Sequence, residues 1–163
     1  IHRACAYRTS HDGSSRMIHL VLGGARSGKS RFAEQQTLEL SIKQGKQAVY
    51  IATATAIDPE MEKRIAQHQS DRGDCGDSWQ LIECPLSLAD AMSELDSNNI
   101  YLLDCLTLWL NNQLYAVHEE SREQQAQHLK AEIDKLVMGL TSVNADIIIV
   151  SNELIIDCFT SFI

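Results

Sequence analysis

The chain has 163 residues, of which 44% are hydrophobic, and it carries a formal net charge of -8 with an isoelectric point near 5.1. That length and apolar content suit one domain with a buried core. The acidic balance argues against a broad surface for nucleic acid or anionic membrane, and no apolar run approaches the roughly 18 residues of a membrane helix, so neither is an expected partner.

Residues 1–16 are polar and irregular, lack the apolar segment of a secretory signal, and read as a disordered extension ahead of Met17, where translation would start. Ile18-His19-Leu20-Val21-Leu22 then reads as a strand, and 29–43 as a helix. A β-rich run covers 47–54. Pro59 opens a helical stretch to about Ser70, since proline is tolerated in a first turn. A glycine- and aspartate-rich loop follows at 72–78, then a short strand over 79–84. Residues 86–95 have mostly helical spacing, 99–105 read as a buried strand, and 106–115 as a helix. Leu129, Ile133, Leu136, Val137 and Leu140 mark an amphipathic helix over 121–140, and 146–153 closes the pattern as another buried strand. Strands alternating with helices imply a mostly parallel sheet covered on both faces. The five cysteines form no C-x-x-C pair and are odd in number. Reduced thiols of a cytoplasmic protein are the simpler reading, rather than a zinc site or a disulfide framework.

The junction of the first strand and first helix carries the chemistry. Gly23-Gly24-Ala25-Arg26-Ser27-Gly28-Lys29-Ser30 fits G-x-x-x-x-G-K-[ST] in full. Glycines permit the turn, small residues keep side chains clear, and backbone N–H groups and the helix N-terminus gather around phosphates. Lys29 would reach the β- and γ-phosphates, and the Ser30 hydroxyl would take one position on Mg²⁺. Asp104, at the end of an apolar run, suits a partner acid that holds Mg²⁺ through water. The alternative is a cap for the helix that follows, and Asp146 and Glu153 are weaker candidates for the metal.

A second stretch spaces Arg64, His68 and Arg72 four residues apart on the expected helix. Two guanidiniums can hold phosphate oxygens while a neutral imidazole attacks phosphorus. The same spacing also suits a solvated helix face, with arginines paired to Glu60 and Glu62. Spacing alone does not choose.

Taken together, GGARSGKSRFAE, YIATA, DPEM, RIAQH, Arg72, Trp79, IECP, LLDCLTLWLNN and VSNE resemble the bifunctional adenosylcobinamide kinase/adenosylcobinamide-phosphate guanylyltransferase family of cobalamin synthesis, over about residues 17–153. The resemblance implies a P-loop NTPase fold with a RecA-like, mostly parallel sheet. It implies a transferase that phosphorylates adenosylcobinamide and then transfers GMP from GTP to the phosphate through a GMP-histidine intermediate, releasing pyrophosphate. His68 matches the family's histidine. Gly23 to Ser30 match its phosphate site, Thr53-Ala54-Thr55 a segment that contacts the nucleotide, and Arg72 and Glu83 positions near the modified histidine. Mg²⁺, with GTP and ATP as substrates, a cytoplasmic location and a homo-oligomer, a trimer by family analogy, are further implications.

After Val150-Ser151-Asn152-Glu153 the quoted pattern stops, and residues 154–163 read as an aberrant tail replacing an expected terminal helix and strand. Two other functions stay open on the residues alone. One is a small-molecule P-loop kinase that leaves His68 idle. The other is an inactive remnant that at most binds nucleotide.

Overall fold

The computed structural model describes residues 3–11, 14–54 and 79–152. Among these, six strands form one sheet: β1 (Arg3–His11), β2 (Ser14–Leu22), β3 (Gln47–Ala52), β4 (Gln80–Glu83), β5 (Asn99–Asp104) and β6 (Asp146–Ser151). Their spatial order is β1-β2-β6-β5-β3-β4. The five strands from β2 to β4 run parallel, and β1 is added antiparallel to the outer edge of β2. The expected parallel α/β sheet is therefore present.

The N-terminal segment differs from the sequence reading. Instead of a disordered extension over 1–16, Arg3–His11 pair with Ser14–Leu22 from Arg3↔Leu22 to His11↔Ser14. The pairing bonds are made by the backbone, which a polar sequence supplies as well as an apolar one. The two residues between the strands are Asp12-Gly13, a dipeptide favoured in tight hairpins. The tail 154–163, the expected helix 59–70 and the loop 72–78 lie outside the described residues.

Four helices are described: α1 (Lys29–Gln44), α2 (Leu88–Met92), α3 (Leu106–Ala116) and α4 (Arg122–Ser142). None is long and apolar enough to cross a membrane. Strand alternation sorts the core into two layers. Val49, Ile51, Tyr101, Leu103, Ile147 and Ile149 point to the face covered by α2, α3 and α4, where Leu88, Met92, Trp109, Ile133 and Leu136 meet them. Val21, Ala48, Tyr50, Leu102, Ile148 and Val150 point to the other face, covered by α1 through Ala33, Phe32, Leu38 and Leu40.

The inner residues of α1 are Ala33, Glu34, Thr37 and Ser41, small or polar where bulk is usual. Thr37 satisfies its hydroxyl internally by donating to the Ala33 carbonyl at 2.8 Å. Small residues let α1 lie close across β5 and β6. α4 begins with a capping box: the Ser121 hydroxyl accepts from the Gln124 N–H at 3.3 Å, and the Gln124 side chain accepts from the Ser121 N–H at 3.1 Å.

The chain leaves β2 over one face through α1 and leaves β5 over the other through α3. Connections that diverge in this way open a crevice at the carboxyl ends of the strands, where ligands of such sheets bind. β6 forms its floor, between β2 and β5.

Candidate active site

The phosphate-loop sequence occupies the end of β2 and the start of α1. Arg26 and Gly28 both have left-handed backbone angles, φ 57° and φ 82°. Left-handed residues flanking an ordinary one turn successive N–H groups toward one concavity, an anion-binding arrangement. Gly28 also caps α1, where a side chain would be strained. At Gly23 the constraint is space, since an added Cβ would lie 2.5 Å from the Ser27 hydroxyl. That hydroxyl is buried and has no hydrogen-bond partner among the described residues. The loop is closed by Ser27 N–H donating to the Gly24 carbonyl at 3.3 Å, and Lys29 donates its ammonium to the same carbonyl at 3.1 Å. Gly24, Ala25 and Arg26 are exposed, and Lys29 and Ser30 are half-buried.

The end of β5 lies across the crevice. Asp104 continues the row of Leu102 on the α1 face and is half-buried. Tyr50 donates its phenol to Asp104 Oδ2 at 2.8 Å. Cys105, the next residue, is close enough to the loop for the Lys29 charge to act on it. Burial pushes the Cys105 thiol up, and the Asp104 carboxylate adds to that rise. The Leu108 and Thr107 N–H groups and the Lys29 ammonium pull the other way.

Thr53, at the end of β3, is fully buried. Its hydroxyl accepts from the Cys105 N–H at 2.9 Å and donates toward the Cys105 carbonyl at 2.9 Å, while its own N–H donates to the Asp104 carbonyl at 3.3 Å. From α3, Asn112 donates to the Thr53 carbonyl at 2.7 Å and the Pro85 carbonyl at 3.1 Å. Trp109 and Gln113 both donate to the Leu86 carbonyl, at 3.0 and 2.8 Å. Thr107 accepts the Asn152 N–H at 3.0 Å, tying the end of β6 to α3. The rim formed by the ends of β3, β5 and β6 and the segment after β4 is thus one hydrogen-bonded unit.

Residues 19–161 match the family model described as cobinamide kinase / cobinamide phosphate guanyltransferase. The chain belongs to that family. Over 138 residues it is 43% identical to the bifunctional adenosylcobalamin biosynthesis protein CobP of Pseudomonas aeruginosa, covering 84% of this chain and 72% of the relative. It is 33% identical over 144 residues to the protein CobU of Escherichia coli, covering 84% of this chain and 75% of that one, and the Salmonella typhimurium protein of the same name gives the same identity. The match to the cobinamide kinase family runs past residue 153, where the quoted motifs stop.

Of the residues that the sequence assigns to this family's site, the structure brings Gly23 to Ser30, Thr53, Ala54 and Asp104 to one edge of the sheet. Glu83 ends β4 at the outer edge of the sheet and is exposed. Thr53 spends its hydroxyl on the β5–α3 junction, where it bonds both the N–H and the carbonyl of Cys105. His68, Arg64, Arg72, Thr55 and Glu153 lie outside the described residues.

Tyr50, Asn112 and Thr107 escaped the sequence reading. Each carries a polar group at a position that needs a partner. Tyr50 offered the plainest signal, a phenol within the otherwise apolar run Ala48 to Ala52.

The hard oxygen donors at the rim suit Mg²⁺, which usually keeps several waters and takes one or two protein oxygens beside nucleotide phosphates. Ser30 offers a hydroxyl. Asp104 offers Oδ1, which accepts no hydrogen bond among the described residues. These groups fit the ion.

Proposed function

We propose that this chain phosphorylates adenosylcobinamide and then transfers GMP from GTP to adenosylcobinamide phosphate, in the late steps of adenosylcobalamin synthesis. The observation that carries the reading is the family match over 19–161, which includes an intact phosphate loop.

In the kinase step the loop N–H groups and Lys29 hold the nucleotide's phosphates, with ATP or GTP as donor. Lys29 trades its bond to the Gly24 carbonyl for phosphate oxygen, so its charge meets the charge that develops on the transferring group. Ser30 and Asp104 would hold Mg²⁺, which neutralises phosphate charge when bound. Positioning provides much of the remaining acceleration.

In the second step His68 is the nucleophile. Its imidazole nitrogen forms a bond to the α-phosphorus of GTP, the bond to the β-phosphate oxygen breaks, and pyrophosphate leaves. Lys29 and the loop N–H groups receive the charge of that leaving group. A phosphate oxygen of the cobinamide substrate then attacks the same phosphorus and releases the histidine. Arg72 and Glu83 serve near this centre, and Thr53-Ala54-Thr55 flank the nucleotide. Residues 17–153 carry both activities. We further assign a cytoplasmic location and a homotrimeric assembly, both by analogy with the family.

Incubation with α-labelled GTP tests the reading. The parent chain and His128→Ala should take up an acid-labile, alkali-stable label, and His68→Ala should not. His128 Nε2 hydrogen-bonds the Gln113 side-chain amide oxygen Oε1 at 2.9 Å, between α4 and α3, and serves as the control. Label that persists in His68→Ala rejects the assignment. A chain that binds GTP without taking label would instead be a small-molecule kinase. A chain whose melting temperature does not rise with GTP and Mg²⁺ binds no nucleotide.

A further inference from the structure

We propose that Tyr50 is a positioning residue for the metal step: its phenol fixes the Asp104 carboxylate and leaves Oδ1 as the oxygen available to the cation. The inference rests on the reading of Asp104 as a ligand of Mg²⁺.

Tyr50 lies on β3 next to β5, two residues before Ala52, whose partner across the ladder is Asp104. Side chains two apart on a strand share a face, so the Tyr50 ring runs along the α1 side of the sheet toward the carboxyl edge. The ring has little freedom, being 3% exposed and held by the edge of Trp79, with centroids 5.8 Å apart and planes at 70°. Its hydroxyl donates to Asp104 Oδ2 at 2.8 Å.

A rigid donor on one carboxylate oxygen removes the rotation that a half-exposed aspartate at a strand end would otherwise have. Mg²⁺ demands near-ideal octahedral geometry at short distances, so a pre-aimed oxygen raises its affinity without any new ligand. A phenol that only needed satisfying could have used a backbone carbonyl. Here it engages the acid that faces the phosphate loop.

The test compares GTP affinity by calorimetry in EDTA and in excess Mg²⁺, using the full chain. The ratio of the two affinities measures how strongly the metal is held. Tyr50→Phe keeps the ring and removes the donor. It should leave GTP affinity in EDTA unchanged and lower the Mg²⁺-dependent gain about tenfold, the scale of one hydrogen bond to a charged group. Asp104→Asn should lower the gain at least as much, and adding Tyr50→Phe to it should have no further effect. A parent-like gain in Asp104→Asn removes the metal reading, and this proposal with it. A lost gain in Asp104→Asn with a parent-like gain in Tyr50→Phe overturns the proposal alone. A purely structural phenol would lower the melting temperature and leave the ratio unmoved. If Tyr50→Phe does not fold, Trp79→Phe, which loosens the Tyr50 ring, must show the reduced gain, and a parent-like ratio there overturns the proposal.

Discussion

The Thr53 hydroxyl and the Cys105 N–H meet at 2.9 Å across two neighbouring strand ends, and both belong to the junction that carries Asp104. One small side chain thereby closes the turn from β5 into α3, satisfying a donor that the start of a helix leaves unpaired.

Thr53→Val keeps the shape and removes the hydroxyl. The Cys105 N–H is then left without its partner, a loss of about 1–3 kcal/mol. Melting should fall by several degrees, at about 2–4 °C per kcal/mol for a domain of this size. A calorimetric scan checks this, and a melting temperature equal to the parent's would show the bond to be dispensable.

Lys29→Ala should suppress both phosphoryl and guanylyl transfer, because both reactions place developing charge on phosphates at the same loop. The expected fall is about 10²–10³-fold in kcat, the scale of losing one preorganised charge-stabilising donor. The fold should survive, since the lysine's hydrogen bond is an exposed one to the Gly24 carbonyl. Steady-state rates for both half-reactions provide the check, and an effect confined to one of them would separate their phosphate sites.

Cys105 should report on Asp104. Burial is the larger reason its thiol sits high, with the Asp104 carboxylate contributing and the Lys29 ammonium opposing. Asp104→Asn removes a negative charge that disfavours the thiolate. Alkylation of Cys105 by iodoacetamide at pH 8 should then quicken roughly twofold to fivefold, whereas Lys29→Ala should slow it. Peptide mapping after timed quenches resolves this thiol from the others. Equal rates in all three chains would mean that the carboxylate and ammonium do not act on this sulfur.

Gly139→Ala sets helix propensity against packing. Alanine in the last turn of α4 gains at most about 1 kcal/mol, the figure for a helix interior. The new methyl would lie 2.9 Å from Met92 Cβ and 3.3 Å from the Ala89 carbonyl oxygen, so α2 must move. Overpacking of this kind costs about 1–3 kcal/mol, and the net expectation is destabilisation. Urea unfolding decides it, and a rise in midpoint would show that α2 yields freely.

The parallel strands and the phosphate loop were legible because their signals are local. Apolar runs end at Leu22, Ala52, Asp104 and Ser151 within a residue or two of expectation, and the eight residues from Gly23 to Ser30 state their conformation in their own composition. The β1 hairpin was not, because backbone pairing asks nothing of side-chain polarity and the Asp12-Gly13 signal stood inside a stretch read as disordered. The span 86–95 has mostly helical spacing, and the helix within it covers only Leu88–Met92. The rim network was illegible for another reason. Tyr50 and Asp104 are 54 residues apart in the chain, and Asn112 and Thr53 are 59 apart. No periodicity encodes such meetings, although the presence of polar groups in buried strands said that some partner had to exist.

The place of β6 has a consequence for how the chain reaches its native state. It is the last strand described, yet it is inserted between two earlier ones, with Ile18 beside Ile147 and Ile100 beside Asp146. On the ribosome, β2 and the β5–β3–β4 group therefore emerge as two separate halves, each with an apolar edge awaiting the same late segment. Closing the sheet spans most of the chain, the kind of non-local step that slows folding and prolongs exposure of sticky edges. In a nascent chain halted before residue 146, β2 has no strand between it and β5, and only the packing of α1 across β5 links the phosphate loop to Asp104.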